Sequence, residues 1–253
     1  MKWLRNWRRQ SILRNTRLDE AAWDNTLALP IFTGLTLAER AQLSDWVRLF
    51  LHDKSIFGAA GLVIDEKVRL TIATQACLLI LNLDADWYRG WSEIIVYPDQ
   101  FVPHREYTDE HGIVHESRYP MLGEAWLSGP VILSWADVAS AGTLDGTNVV
   151  LHEFAHKLDM LNGDANGLPP LHGCMQVRDW SGAFKPAYED FCRRVDTGEE
   201  TNIDAYAAES PAEFFAVLTE VFFETPRLLH SEYPLVYGQM RGFYRQDPLT
   251  RFL

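Results

Sequence analysis

The strongest chemical signal in the sequence, and the helix on which the site is built, lie in the stretch Val149-Val150-Leu151-His152-Glu153-Phe154-Ala155-His156-Lys157-Leu158-Asp159. Its apolar residues recur at helical spacing and Asn162-Gly163 supplies a helix stop, so we predict a helix over residues 147–161. Residues four apart share one face of a helix, so the imidazoles of His152 and His156 can bind one zinc ion. Glu153 lies beside that face and is the candidate general base.

The alternative for this helix is a pair of solvent-exposed histidines with an incidental glutamate. Because burying an imidazole without a partner is costly, that alternative requires exposure or other hydrogen-bond partners. Asp159 favours the metal site: three residues after His156, it can accept the second ring N–H of a ligating histidine and fix its tautomer. Otherwise Asp159 is a surface acid near a helix C-terminus, where a negative charge is unfavourable.

A catalytic zinc site normally has three protein ligands, so a third has to come from farther along the chain. The downstream candidates are His172, Asp204, Glu209, Glu213 and Glu220. Glu213 heads the amphipathic run Phe214-Phe215-Ala216-Val217-Leu218, so a helix packed on the first could direct it towards the metal. Ser210-Pro211-Ala212-Glu213 also fits a capping box, in which Glu213 only closes the helix start. Spacing alone leaves Glu213 and Glu209 open.

A second group of histidines, His104, His111 and His115, contains another spacing of four. Gly112 and the polar, acidic surroundings argue against a helix there, and no glutamate follows His111. We therefore interpret this segment as a solvated loop rather than a rival metal site.

The composition is that of an ordinary globular protein, with 253 residues of which 47% are hydrophobic and 23% charged. The net charge of -12 argues against direct nucleic acid binding, because contact with phosphates requires a surplus of lysine and arginine. No apolar run approaches the roughly 20 residues of a membrane span, and no secretion signal is evident. Three widely spaced cysteines predict neither disulfides nor a thiolate zinc site. Together these features predict a cytoplasmic protein without a membrane span.

Helical and extended patterns alternate along the chain, which predicts an α+β fold. Thr36-Leu37-Ala38-Glu39 fits a capping box and opens a helix. Further helices are predicted over 65–81, 180–195 and 210–223 and before Asp247-Pro248, strands over 93–97 and 131–135, and a loop or hairpin over 102–119. As a hypothesis, the strand over 131–135 is the sheet edge beside the cleft and pairs with the substrate backbone; the alternative is a core strand.

The segments His152–Asp159 and Asp204–Ala216 resemble the Mlc titration factor A family of bacterial zinc peptidases. The likeness also takes in Gly129–Trp135 and Phe243–Leu249, and it covers most of the chain from about Leu29 onward. The catalytic part of that family is similar to the anthrax lethal factor protease domain. Both share the His-Glu-x-x-His-x-x-Asp helix and a tyrosine seven residues before the glutamate of Glu-Phe-Phe-Ala.

This resemblance implies roles that spacing alone leaves open. Glu213 becomes the third ligand of one zinc ion per chain, beside His152 and His156, and Tyr206 becomes an active-site phenol that donates to the oxyanion. The implied fold is a zincin-like metallopeptidase domain with a small mixed sheet, an active-site helix and an N-terminal helical extension. We expect residues 1–85 to form the helical region packed on the core and residues 86–253 the catalytic domain, as one compact unit.

The resemblance also implies a function: aminopeptidase-type hydrolysis of peptide bonds, with binding of the transcriptional repressor Mlc and hence a link to glucose uptake. The alternative is a repressor-binding module that uses zinc, if at all, only for shape. Glu153 and Tyr206 favour an enzyme, because a purely structural site needs neither a general base nor an open coordination position. A third alternative is hydrolysis of a non-peptide amide.

Overall fold

A computed structural model of the protein describes residues 2–99, 105–108, 114–117, 123–125 and 129–251. Within these residues the α-helices are α1 (Lys2–Asn15), α2 (Glu20–Leu27), α3 (Leu37–Asp53), α4 (Glu66–Leu79), α5 (Trp135–Ser140), α6 (Val149–Asp159), α7 (Val177–Asp196), α8 (Pro211–Glu224), α9 (Pro226–Glu232) and α10 (Pro234–Tyr244). The strands are β1 (Ser55–Gly58), β2 (Glu93–Tyr97), β3 (Arg105–Thr108), β4 (Val114–Ser117), β5 (Gly123–Ala125) and β6 (Val131–Ser134). This mixed, helix-dominated architecture agrees with the predicted α+β class.

The larger sheet has the strand order β1-β2-β6-β5. β1, β2 and β6 run parallel, and β5 pairs antiparallel with β6, with Glu124 opposite Ile132. The sheet is therefore small and mixed, as expected. β3 and β4 form a separate antiparallel hairpin within the stretch for which a loop or hairpin was predicted.

The hypothesis that the strand over 131–135 forms the sheet edge is wrong. β6 lies between β2 and β5, so both of its sides are paired. The three-residue β5 takes the edge instead. Its sequence, Gly-Glu-Ala, has no β-branched or aromatic residue, so the sequence carried no strand signal there.

Local sequence signals place most helix starts. Both halves of the Thr36 capping box form at the start of α3: the hydroxyl of Thr36 accepts the N–H of Glu39, and the Glu39 carboxylate accepts the N–H of Thr36. Asp65 caps α4 by accepting the N–H of Val68 at 2.8 Å. α7 begins at Val177, three residues before the predicted start.

One hydrophobic cluster of described residues runs from Ile31 to Tyr244 and places α4, α6 and α8 at its centre. In α8 every residue from Phe214 to Glu224 is buried. Residues on both sides of position 85 join the cluster, while the division into segments 1–85 and 86–253 stays a prediction. None of the described helices combines the length and apolar character needed to cross a bilayer.

The N-terminal helix α1 packs on α3 and on the turn after α4. Ile12 is buried, and Arg48 of α3 donates to the carbonyl of Leu13 at 2.9 Å. Arg9 donates to Asp84 at 2.6 Å and to Asp86 at 2.9 Å. Contacts across more than 70 residues of chain thus hold α1 in place.

Candidate metal centre

α6 carries the two histidines on a helix that the core surrounds. Asn148 caps it, with its side-chain oxygen accepting the N–H of Leu151 at 3.0 Å. Every residue of α6 except His152 is buried, and the helix packs against α4 and α8. The apolar side chains of Phe154 and Leu158 are fully buried. α6 is therefore buried on almost all sides, and His152 is its one partly exposed residue.

α8 presents Glu213 to α6. The hydroxyl of Ser210 accepts the N–H of Glu213 at 3.2 Å, and Pro211 occupies the first helical position. The carboxylate of Glu213 does not return to the helix start. Its Oε2 lies 3.0 Å from His152 Nε2 and 3.2 Å from His156 Nε2.

These three donor atoms converge on a common point, since the two Nε2 atoms are themselves 3.2 Å apart. Three mutual contacts of this kind are poorly explained by hydrogen bonds, because two neutral imidazole nitrogens and a carboxylate oxygen compete for the same protons. Ligand atoms 2.0–2.1 Å from a tetrahedral zinc ion lie about 3.3 Å apart. The donor set and its spacing therefore fit zinc, and it is the metal-type cluster found among the described residues.

The electrostatics of the cluster favour a positive charge at this point. Burial alone would lower the pKa of His152, but its hydrogen bonds with Glu213 and Glu220 raise that pKa well above its usual value. Burial alone would raise the pKa of Glu213, but the two rings lower it far below its usual value. A proton or a metal cation can supply this charge, so the two compete for the site.

Glu220 contacts His152 from the side opposite the metal position. Its Oε1 lies 2.8 Å from Nδ1 of His152, and its Oε2 accepts the N–H of Asn148. A carboxylate that accepts the Nδ1 proton fixes the tautomer in which Nε2 presents a lone pair. Glu220 lies seven residues, or two helical turns, after Glu213, so both carboxylates project from α8 towards α6.

A second buried carboxylate continues this network. Glu224, one turn after Glu220, accepts the side-chain N–H of Asn148 at 2.8 Å and the backbone N–H of Gly142 at 3.1 Å. The same amide group of Asn148 donates to Gln75 of α4 at 2.6 Å. The start of α6 is thus tied to both helices that pack on it.

Glu153 is the buried carboxylate beside the two rings, with 4% of its surface exposed. Its Oε2 has no hydrogen-bond partner among the described residues. Burial raises the pKa of Glu153 to about 7, against the opposing effect of His152 and His156. A carboxyl group with this pKa can both accept and return a proton near neutral pH.

Asp159 is fully buried at the end of α6, and its Oδ2 accepts the N–H groups of Asn166 and Gly167 at 2.8 and 2.7 Å. Its Oδ1 and Nδ1 of His156 are both buried, and neither has a hydrogen-bond partner among the described residues. The structure thus places Asp159 where it holds the loop after α6. That Asp159 accepts a hydrogen bond from the ring of His156 stays a prediction. Among the described residues, Glu220 makes a contact of this type, with Nδ1 of His152.

Tyr206 lies beside the cluster on a 3-10 turn, Ala205–Ala208, that precedes α8. Asp204 caps the turn by accepting the N–H of Tyr206 at 2.9 Å. Tyr206 is 47% exposed, and the centroid of its ring lies 6.0 Å from that of His152. Tyr206 is therefore at the open side of the site, where a substrate carbonyl can reach it.

The remaining candidates lie elsewhere. Glu209 is exposed, and Asp204 serves the turn before α8. Nε2 of His172 lies 2.8 Å from the carbonyl of Phe243, to which it can donate. Of the second histidine group, His104 and His111 lie outside the described residues, and His115 pairs opposite Tyr107 in the β3–β4 hairpin.

Comparison with known proteins adds to this geometry. A family model described as glucose-regulated metallo-peptidase M90 matches residues 4–245. Proteins named Mlc titration factor A from Salmonella choleraesuis, Salmonella gallinarum and Salmonella arizonae are each 39% identical to the chain over 256 residues. The matches cover 99% of this chain and 94%, 94% and 99% of those proteins, respectively.

Proposed function

The chain belongs to the glucose-regulated metallopeptidase family M90, and on that premise we propose that it is a zinc-dependent peptidase of aminopeptidase type. The observation that carries the proposal is the convergence of His152, His156 and Glu213 within 3.2 Å of one another, with the buried Glu153 beside them. We propose one zinc ion per chain and a zincin-like catalytic domain over 86–253, with 1–85 packed on it.

In this proposal His152, His156 and Glu213 hold the zinc ion, and Glu220 keeps His152 in the ligating tautomer through the 2.8 Å contact to Nδ1. When bound, zinc polarises the scissile carbonyl and makes water a better nucleophile near neutral pH. The protein contributes the orientation of these ligands on two helices that the core holds rigidly.

Glu153 moves the proton. Its carboxylate takes a proton from the attacking water as the oxygen–carbon bond forms, and then returns it to the nitrogen of the leaving amine as the carbon–nitrogen bond breaks. Burial supports this role, because it raises the pKa of Glu153 to about 7. The hydroxyl of Tyr206 donates a hydrogen bond to the oxygen on which negative charge develops.

The substrate class is a peptide, and the aminopeptidase preference rests on the family resemblance. β5 supports a way for the peptide backbone to bind: it is an edge of the described sheet and lies against α6. An edge strand offers unpaired N–H and C=O groups to an extended chain. We also propose a cytoplasmic location, which the three free cysteines support, because a reducing compartment keeps thiols unpaired.

A second role is binding of the repressor Mlc. The specific observation in its favour is the name of the relatives, Mlc titration factor A, at 39% identity over almost the whole chain. We extend that partner to this protein and expect binding to be independent of turnover. If the chain were only a repressor-binding module, the Glu153→Gln variant would bind Mlc normally and the native protein would hydrolyse no peptide.

The testing experiment compares Glu153→Gln with Glu209→Gln, an exposed glutamate before α8 that serves as the matched control. Zinc content is measured by elemental analysis, and turnover is measured on a panel of chromogenic amino-acid anilides. We expect Glu153→Gln to retain one zinc ion and lose turnover, and Glu209→Gln to keep both. Full peptidase activity in Glu153→Gln, or native protein that binds no metal, refutes the assignment.

A further inference from the structure

A cavity of about 380 Å³ lies between α1, α3 and the turn that follows α4, outside the metal centre. Its volume is within the range of sites that bind small molecules. The lining residues that carry charge are Arg8, Arg9, Lys54 and Arg89, with Asp53 and Asp86. Four cations against two acids give the lining a formal charge of about +2, in a chain whose net charge is -12.

Lys54 is the most unusual of these groups because only 8% of the residue is exposed. Its ammonium donates to the carbonyls of Tyr88 and Trp91 and lies 3.8 Å from the centre of the Trp91 ring. These contacts satisfy two of its N–H groups, but it forms no ion pair with any acid of the described residues. Asp53, its neighbour in sequence, lies 3.6 Å from Arg8.

A buried charge without a counter-ion is costly and is normally paired. Burial lowers the pKa of Lys54 to about 8, so the group is still charged at neutral pH and the cost is retained there. Arg89, which follows the 3-10 turn Ala85–Tyr88, is exposed and makes no ion pair with a described residue. The cavity therefore combines a buried and an exposed cation, neither of which forms an ion pair with a described residue.

The remaining wall is apolar and aromatic. The larger uncharged lining residues include Ile12, Trp46, Leu49, Phe50, Tyr88 and Trp91. Flat rings on the wall favour an aromatic or aliphatic body, while the cations favour a negative group attached to it.

We infer that this cavity is a binding site for a small organic anion with an apolar body, such as an aromatic carboxylate or sulfonate. The anionic group pairs with Lys54 and Arg89, and the body packs on Phe50 and Trp91. Binding here is separate from peptide hydrolysis, and it does not depend on the proposed metal centre. The ring centroids of Phe50 and Trp91 also lie 5.7 and 5.6 Å from that of Phe154 in α6. A ligand in the cavity would therefore contact rings that pack on the residue next to Glu153.

The experiment is a fluorescence titration of the whole chain at pH 7 with two probes that share one aromatic body. One is the anion 8-anilinonaphthalene-1-sulfonate, and the other is the neutral N-phenyl-1-naphthylamine. We expect the anion to bind at one saturable site, at least about tenfold more tightly than the neutral probe. Equal affinity for the two probes overturns the inference, because it indicates an apolar pocket without charge recognition.

Variants locate the anion. Lys54→Met should weaken binding of the sulfonate about 10- to 100-fold while leaving the neutral probe unaffected, whereas Arg89→Gln, at an exposed position, should weaken it about two- to fivefold. Lys185→Met is the matched control, since the side chain of that lysine is 76% exposed and is not part of the cavity lining. Native affinity in a folded Lys54→Met protein overturns the inference, and if that variant does not fold, native affinity in Arg89→Gln does so.

Discussion

Replacement of Glu220 by glutamine tests whether a carboxylate on α8 controls the tautomer of His152 on α6 and hence its affinity for a metal ion. The native carboxylate accepts from His152 Nδ1 at 2.8 Å with one oxygen and from the N–H of Asn148 with the other. An amide has one acceptor oxygen, so one of these two buried donors loses its partner in Glu220→Gln. Loss of a carboxylate behind a ligating ring typically weakens metal binding about 10- to 100-fold, or about 1.4–2.7 kcal/mol.

The assay is competition for zinc between the protein and a chromogenic chelator, so it requires no turnover. Glu224→Gln is the matched control: Glu224 also contacts Asn148, at 2.8 Å, but it makes no contact with the ring of a described histidine. We expect this control to lower stability while retaining native zinc affinity. Native affinity in Glu220→Gln, or an equal loss in both variants, would show that the reasoning about the ring is wrong.

Three further predictions concern the phenol, the core and the buried lysine. Tyr206→Phe should lower kcat about 10- to 1000-fold with zinc retained, as removal of one oxyanion donor does, and an unchanged rate would leave Tyr206 as a packing residue. Phe154→Ala should lower the free energy of unfolding in urea by about 3–5 kcal/mol, and Phe57→Ala, at a half-exposed position, by under about 1 kcal/mol. Burial lowers the pKa of Lys54 to about 8, so the folded chain loses this proton before the unfolded chain does. Unfolding free energies measured from pH 7 to 10 should therefore rise above about pH 8 relative to Lys54→Met, and parallel curves would contradict this. The groups facing this ammonium are Asp53, Lys157 and Cys77.

The part of the site that the sequence could predict is local. His152 and His156 are one turn apart, so a helical pattern alone brings their rings together. α6 ends at Asp159, and the predicted stop at Asn162-Gly163 closes the 3-10 turn Met160–Asn162 that follows it. The start of α8 could also be predicted from neighbouring residues, because Ser210 and Pro211 are strong signals for a helix N-terminus.

What the sequence could not decide depends on packing between distant segments. How α8 packs on α6 determines whether Glu213 caps its own helix or points towards α6. The family resemblance, and not the spacing, favoured the orientation towards α6. The contact of Glu220 with His152 joins residues 68 apart in sequence. Its signal was the seven-residue spacing from Glu213, which places both carboxylates on one helix face but does not say what that face meets.

The edge of the sheet shows the same limit. β5 is held by its pairing with β6 rather than by strand-forming residues. A strand that exists through its neighbour leaves little trace in its own sequence.

The separation of the ligands along the chain has a consequence for biosynthesis. Glu213 follows His156 by 57 residues, which a ribosome adds in about 3 to 11 s at its usual speed. A nascent chain that has exposed only His152 and His156 lacks Glu213, so the three side chains of the candidate metal centre come together only after most of the polypeptide has been made. The order of translation thereby delays assembly of this cluster until the surrounding core can form.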